Sequence, residues 1–206
     1  MKKIVFLSST DEGKEILKWL KGQDCEIVLA DTENTVINHF PEYDFGFGFL
    51  YTHKIPSSEF LKSNKWINFH PGPLPNYRGR NLCYHAIMNS SATFGATIHF
   101  MNEKYDEGEI IEVVNFPIEK TDTAGDLNKK SVQTLIDLFK KYFKLIIQNE
   151  VIGTIQNEGV YYKKHEINNF LEVTDQQKKM IRALTVEDKF YPLIDMDGKS
   201  FKILPV

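Results

Sequence analysis

WINFHPGPLPNYRGR, residues 66–80, is the stretch on which the reading of this chain turns. Trp66, Ile67 and Asn68 have the aromatic and β-branched character of a strand end. Pro71, Pro73 and Pro75 follow at once. A proline can neither donate to a β-ladder nor continue a helix, so the strand stops near His70. A strand thus delivers two polar side chains, Asn68 and His70, to a rigid loop. Open α/β sheets present chemistry in this way, at the carboxyl ends of their strands.

Working outward, KIVFLS (3–8) reads as a buried strand and DEGKEILKWLKG (11–22) as a helix. Its apolar face is Ile16, Leu17, Trp19 and Leu20, with Gly22 as the stop. CEIVLA (25–30) is a second buried strand. YDFGFGFLY (43–51) is strand-like but interrupted by Gly46 and Gly48, which predicts close approach of its backbone to a ligand or a neighbour. NLCYHAIMNS (81–90) reads as a short helix, and TFGATIHFM (93–101) and GEIIEVVNFPI (108–118) as antiparallel strands. A long helix over 124–150 carries Val132, Leu135, Ile136, Phe139, Tyr142, Phe143 and Ile146 at helical spacing. Alternating strands and helices predict an α/β fold, a Rossmann-like open, mostly parallel twisted sheet with helices on both faces. After Gly153 the texture becomes that of a small appendage of strand, helix and β-hairpin, with Asp197-Gly198 as the hairpin turn.

Composition narrows the classes. The chain has 206 residues, 42% of them hydrophobic, which suits one globular domain with a small extension. Its 25 basic and 28 acidic residues leave a net charge of −3, with no basic run of the kind that tracks nucleic acid. No segment approaches the ~20 apolar residues of a membrane span. The apolar run after Lys2 and Lys3 is too short for a leader and reads as a first strand. Cys25 and Cys83 are too far apart in sequence to suggest a metal knuckle or a disulfide framework, and Cys83 reads as packing. A cytoplasmic location is the expectation. The terminal strands could pair across a two-fold axis to give a homodimer.

Asn68, His70 and Asp106 stand out among the polar residues. Singly, each has an ordinary explanation: a turn cap, a structural histidine, a turn acid. Together with NFHPGPLPNYRGR (68–80), Ala86-Ile87, FGATIHFM (94–101) and DEGEII (106–111), they resemble the formyltransferases that use 10-formyltetrahydrofolate. The resemblance is strong over about residues 43–118 and weak over the first strands. It implies a Rossmann-like core, assigned here to residues 1–152, with 153–206 as the appendage. It also implies formyl-folate as co-substrate, no metal, and Asn68, His70 and Asp106 as catalytic residues. The chemistry suits them, because formyl transfer to an amine passes through a tetrahedral oxyanion. Asn68 offers an amide N–H to it. His70 can donate to that oxygen or take the amine proton, and Asp106 can orient His70 and move protons.

By the same resemblance, GFLYTHKIP (48–56) matches the segment that holds the pterin, with Phe49, Leu50, Tyr51 and Asp106 on the cofactor side. Simple core packing is the alternative for Phe49, Leu50 and Tyr51. Within the family, the methionyl-tRNA enzymes carry a further nucleic-acid-binding domain and a basic surface. Here fewer than 60 residues follow Gly153 and the charge is negative, so tRNA is not expected. The glycinamide ribonucleotide enzymes are the second choice. Their Gly-Ser-Asn phosphate loop is replaced by SSTDEGKEIL (8–17), which carries Asp11 and Glu12. RGR (78–80) and IRALTVEDKFYPLIDMDGKSFKI (181–203) are most similar to the nucleotide-sugar N-formyltransferases, whose acceptors are nucleoside-diphosphate amino deoxysugars for surface polysaccharide.

Arg78 and Arg80 are then candidates for the pyrophosphate, and Tyr77 and Tyr84 for the base. Arg78 has an equal alternative, that it stabilises the proline-rich loop. A formyl-folate hydrolase and a catalytically silent binding module also stay open. The family's hydrolases carry an additional N-terminal domain, for which there is no room before KKIVFLS, and retention of all three polar residues opposes the silent module.

Overall fold

The computed structural model describes residues 1–8, 10–30, 43–51, 65–163, 174–176, 193–196 and 199–202. Its strands are β1 (Lys2–Leu7), β2 (Cys25–Ala30), β3 (Phe45–Phe49), β4 (Trp66–His70), β5 (Arg78–Gly79), β6 (Thr93–Phe100), β7 (Ile110–Pro117), β8 (Tyr161–Tyr162), β9 (Leu193–Met196) and β10 (Lys199–Lys202). The helices are α1 (Asp11–Leu20), α2 (Leu82–Met88) and α3 (Ala124–Ile147). Six strands form one sheet in the order β2-β1-β3-β4-β6-β7. The first four are parallel, and β6 and β7 are antiparallel additions. The expected Rossmann-like, mostly parallel sheet is the observed one.

Residue parity builds the two faces of this sheet. Phe45, Phe47 and Phe49 of β3 alternate with glycines and all turn to one face, where Ile67 and Phe69 of β4 and Ala96 and Ile98 of β6 join them. Helices α1 and α3 cover that face. Phe139 of α3 packs against Phe6, Phe47, Phe49 and Phe69, at 4.7 Å between centroids for Phe69. Burying aromatic surface of this size contributes several kcal/mol, and the tilted and edge-to-face ring geometries add to it. The start of α3 is fixed by a capping box, in which Thr123 accepts from the Asp126 N–H and Asp126 accepts from the Thr123 N–H.

The other face explains the interrupting glycines. A Cβ on Gly46 would stand 2.2 Å from the Trp66 ring, so this glycine is the seat of a neighbour and not of a ligand. A Cβ on Gly48 would lie 2.5 Å from Met101 Cε and 3.1 Å from Asn68 Oδ1, so this position leaves room for a candidate catalytic side chain. Asn68 and His70 share this face with Trp66, opposite Ile67 and Phe69.

Beyond the main sheet, β9 and β10 form an antiparallel hairpin as expected. Its turn, Asp197-Gly198, and most of the helix expected after Thr174 lie outside the described residues. The pairing of β5 with β8 was not read from the sequence. Here Arg78 and Gly79 take Tyr161 and Tyr162 as parallel partners. This ties the segment after Val151 back onto the proline-rich loop.

Candidate active site

The site grows out of the β4–β6 register. Asn68 faces His99 and His70 faces Thr97 across the antiparallel pair. Parity puts all four on the face opposite the phenylalanine core. A register irregularity between Ile98 and His99, where β6 meets β7, sits beside the site, as bulges often do. Thr97, fully buried, donates to the Gly72 carbonyl at 2.7 Å and accepts from the Leu74 N–H at 3.0 Å. The loop that follows His70 is thereby pinned at both ends of its first turn.

His99 Nδ1 lies 2.8 Å from the Phe100 carbonyl, an acceptor only, so the ring proton belongs on Nδ1. Nε2 is then a bare acceptor and takes an N–H from Asn68 Nδ2 at 3.1 Å. This fixes which end of the Asn68 amide is nitrogen. One of its two N–H groups is used, and the other remains to serve a ligand. Burial pushes the His99 ring down to about 4, against the opposing pull of Asp106, so the ring is neutral near pH 7.

Asp106 comes from the turn between β6 and β7, with a left-handed backbone at φ 56°. Its Oδ1 is 3.4 Å from His70 Nδ1 and 3.8 Å from His99 Nε2, and its Oδ2 accepts from the Gly79 N–H at 2.9 Å. Burial raises this carboxyl, but the His70 and His99 rings, the Gly79 N–H and Arg78 together hold it below its ordinary value. His70, itself buried, donates from Nε2 to the Tyr77 carbonyl at 2.6 Å. The His70 ring is therefore held between a carbonyl and a carboxylate, an arrangement that can carry a proton and pass it on.

These groups open into a cavity of about 890 Å³, large enough for two small substrates side by side. Thr10 after β1, Leu50 and Tyr51 after β3, and His70 and Pro71 at the end of β4 line it. All lie at the carboxyl ends of parallel strands, where the order β2-β1-β3 reverses direction. Among the described residues no three His, Cys, Asp or Glu side chains are placed to hold a metal ion. None of the described helices is long and apolar enough to cross a membrane.

The structure brings Asn68, His70 and Asp106 together, and places Leu50, Tyr51, Arg80 and Tyr84 on the cavity wall. Three expected contacts are corrected. The Phe49 side chain is fully buried between Phe69 and Phe139, because its parity on β3 is that of the core. Tyr77 is buried against Phe94 and Tyr162, with its hydroxyl on Ser91. Arg78 turns away from the cavity to Gln156, at 2.8 Å, and to the Asn157 carbonyl. The alternative weighed for Arg78, support of the loop, is the geometry found.

Cys83 lines the cavity at the start of α2, and burial raises its thiol to about 11, which leaves it unreactive near neutral pH. His99 is the neighbour that the sequence reading passed over. Its signal was its parity with Thr97, two polar residues alternating with Ala96, Ile98 and Phe100 along one strand. Tyr105, Tyr161, Lys104 and Lys163 also line the cavity. Two of them come from the tail, and only folding brings them here.

The chain is 33% identical over 170 residues to a methionyl-tRNA formyltransferase of Lactobacillus gasseri, covering 79% of this chain and 53% of that protein. It thus spans about half the length of that curated relative. Among solved structures, a 4-N formyltransferase from Francisella tularensis superposes with a TM-score of 0.75 at 23% identity, over 98% of this chain and 96% of that one. The formyltransferase PseJ from Anoxybacillus kamchatkensis was solved with UDP-4,6-dideoxy-4-formamido-L-AltNAc and tetrahydrofolate. It superposes with a TM-score of 0.69 at 23% identity, over 91% of this chain and 93% of that one. At such identities these two structures speak for the fold. Residues 51–137, which hold Asn68, His70, His99 and Asp106, match the family model for formyl transferases.

Proposed function

We propose that this protein transfers the formyl group of 10-formyltetrahydrofolate to the amine of a nucleotide-linked amino deoxysugar. The observation that carries the reading is one cavity with two kinds of lining. Asn68, His70 and Asp106 meet in it, and Arg80, Lys104 and Lys163 line it together with Tyr84, Tyr105 and Tyr161. The first group suits acyl transfer, and the second suits a pyrophosphate carrying an aromatic base. The backbone of residues 48–51, with Leu50 and Tyr51, is the proposed seat of the pterin.

In the proposed reaction the amine nitrogen attacks the formyl carbon, and the carbonyl electron pair moves to oxygen. That oxyanion takes the second N–H of Asn68. Collapse reforms the carbonyl and breaks the bond from carbon to N10 of the folate. The proton lost by the amine passes through His70 and Asp106 and ends on N10, so the step is balanced without an external acid. In this reading residues 1–152 hold the chemistry. Residues 153–206 are an appendage whose first part, through β8, closes the acceptor side.

A terminal phosphate monoester, as in glycinamide ribonucleotide, fits this cavity less well. The turn after β1 presents Thr10 and Glu12 to it, and Asp11 and Glu12 open α1, where they oppose an anion. The identity to methionyl-tRNA formyltransferases favours tRNA as a second reading, which the net charge of −3 opposes. Incubating the protein with formyl-folate and, separately, nucleoside-diphosphate 3-amino and 4-amino deoxysugars, methionyl-tRNA and glycinamide ribonucleotide decides among them. Release of tetrahydrofolate only with an amino sugar is the expected result. Turnover of tRNA or of the ribonucleotide in its place overturns the acceptor assignment.

A further inference from the structure

Asp106 adopts a left-handed backbone, which a residue with a Cβ rarely takes without support, so something must hold it there. Two residues on, Gly108 is pressed so closely on β6 that a Cβ would stand 1.7 Å from the Phe100 carbonyl. From the tail, outside the formyl transferase match, Gln156 reaches into this turn. Its Nε2 donates to the Asp106 carbonyl at 2.9 Å and to the Gly108 carbonyl at 2.6 Å. Its Oε1 accepts from Arg78 Nε at 3.2 Å and from the second guanidinium nitrogen at 2.8 Å. Both ends of one planar amide are thus in use.

Arg78 belongs to the same loop as the two backbone groups that set the catalytic pair. The Tyr77 carbonyl holds His70 and the Gly79 N–H holds the Asp106 carboxylate. The guanidinium is buried, and it also faces Glu107 Oε1 at 3.9 Å and the Asn157 carbonyl at 3.1 Å. The Gln156 amide therefore bridges the loop that carries His70's partner and the turn that carries Asp106. A hydrocarbon side chain of equal length could fill the space but could join neither.

We propose that Gln156 is a positioning residue that fixes the Asp106 carboxylate against His70, acting through the backbone of residues 106–108 and through Arg78. The proposal rests on the formyl transfer reading for its kinetic arm only. Asp106 is faced by His70 from β4, His99 from β6, Arg78 from β5 and Tyr161 from β8, and its turn neighbour Glu107 adds a like charge. The balance of these groups keeps its carboxyl below the ordinary value, and loosening the turn changes that balance.

The test compares Gln156→Met with the parent in two measurements on the full chain. Carboxyl-carbon NMR follows the titration of Asp106, assigned with Asp106→Asn, and needs no substrate. The midpoint is expected to rise toward that of an ordinary aspartate in Gln156→Met. With an accepted amine, kcat is expected to fall about 10- to 100-fold with KM within about twofold, the loss typical of a misplaced catalytic group. In an Asp106→Asn background, the same Gln156→Met change is expected to cost less than about twofold, because the group it positions is gone. An unmoved Asp106 titration, or an equal loss in both backgrounds, overturns the proposal. If the parent formylates no acceptor, the formyl transfer reading fails while the NMR arm still decides the role of Gln156. Where Gln156→Met does not fold, Gln156→Glu keeps the Arg78 contact but sets a carboxylate against two carbonyls, and the same two readouts apply.

Discussion

Replacing Asn68 by Ala removes two things that the structure separates. The first is the amide N–H that His99 leaves over, the proposed oxyanion donor. Loss of one such donor costs a factor of ~10²–10³ in kcat, or about 3–4 kcal/mol of transition-state stabilisation. The second is the hydrogen bond to His99 Nε2, made at 3.1 Å. That nitrogen is buried and cannot turn to another donor, because Nδ1 is held by the Phe100 carbonyl. An orphaned buried acceptor costs about 1–3 kcal/mol. The cavity that both residues line admits water, so the lower end, about 1 kcal/mol, is expected. Asn68→Asp separates the two effects. A carboxylate cannot donate to His99 but attracts a proton onto its Nε2, so stability should recover as the pH is lowered. The rate should not, since a negative charge then faces the oxyanion. The assay pairs denaturant unfolding at two pH values with the rate of tetrahydrofolate release from formyl-folate and an accepted amine. An Asn68→Ala protein that turns over within about threefold of the parent, or an active Asn68→Asp protein, would refute the assignment of Asn68 as donor.

His99 itself should make the fold acid-sensitive. Its folded value of about 4 lies below the ordinary 6.5, so between those values the unfolded chain holds a proton that the native state does not. Stability is then fully present above about pH 6.5 and falls by up to about 3 kcal/mol as the pH drops to about 4. Urea unfolding across that window should show a smaller fall in His99→Gln, and an unchanged fall would place the acid sensitivity elsewhere. Thr97→Val keeps the shape but leaves the Gly72 carbonyl and the Leu74 N–H without their partner, an expected loss of about 2–4 kcal/mol by thermal or chemical unfolding. A Thr97→Val protein as stable as the parent would show that water replaces both contacts. Gly46→Ala sets a methyl into the Trp66 ring, at 2.2 Å from the nearest ring carbon, and should destabilise by about 1–3 kcal/mol. A neutral result there would mean that the indole can shift without cost.

Local rules in the chain were enough for most elements of the main sheet and for two of the candidate site's residues. Short apolar runs and helical spacing placed β1, α1, β2 and α3 to within a few residues, because each pattern is carried by neighbouring residues. Three prolines after His70 ended β4 where a strand must end. They thereby located Asn68 and His70 at a carboxyl edge, and the family resemblance added Asp106. Tertiary structure decided what depends on pairing between distant segments. Whether Gly46 faces a ligand or a ring depends on Trp66, twenty residues away, and only the β3–β4 register brings the two together. His99 joined the site because β6 runs antiparallel to β4 with Asn68 opposite it, a register no local pattern fixes. Tyr77, Arg78 and Arg80 alternate within one loop, yet only Arg80 reaches the cavity, since β8 pairs beside them and Gln156 captures the Arg78 guanidinium. Long-range pairing orders a loop of this kind, and its side-chain directions were beyond reach until the partners from the tail were in place.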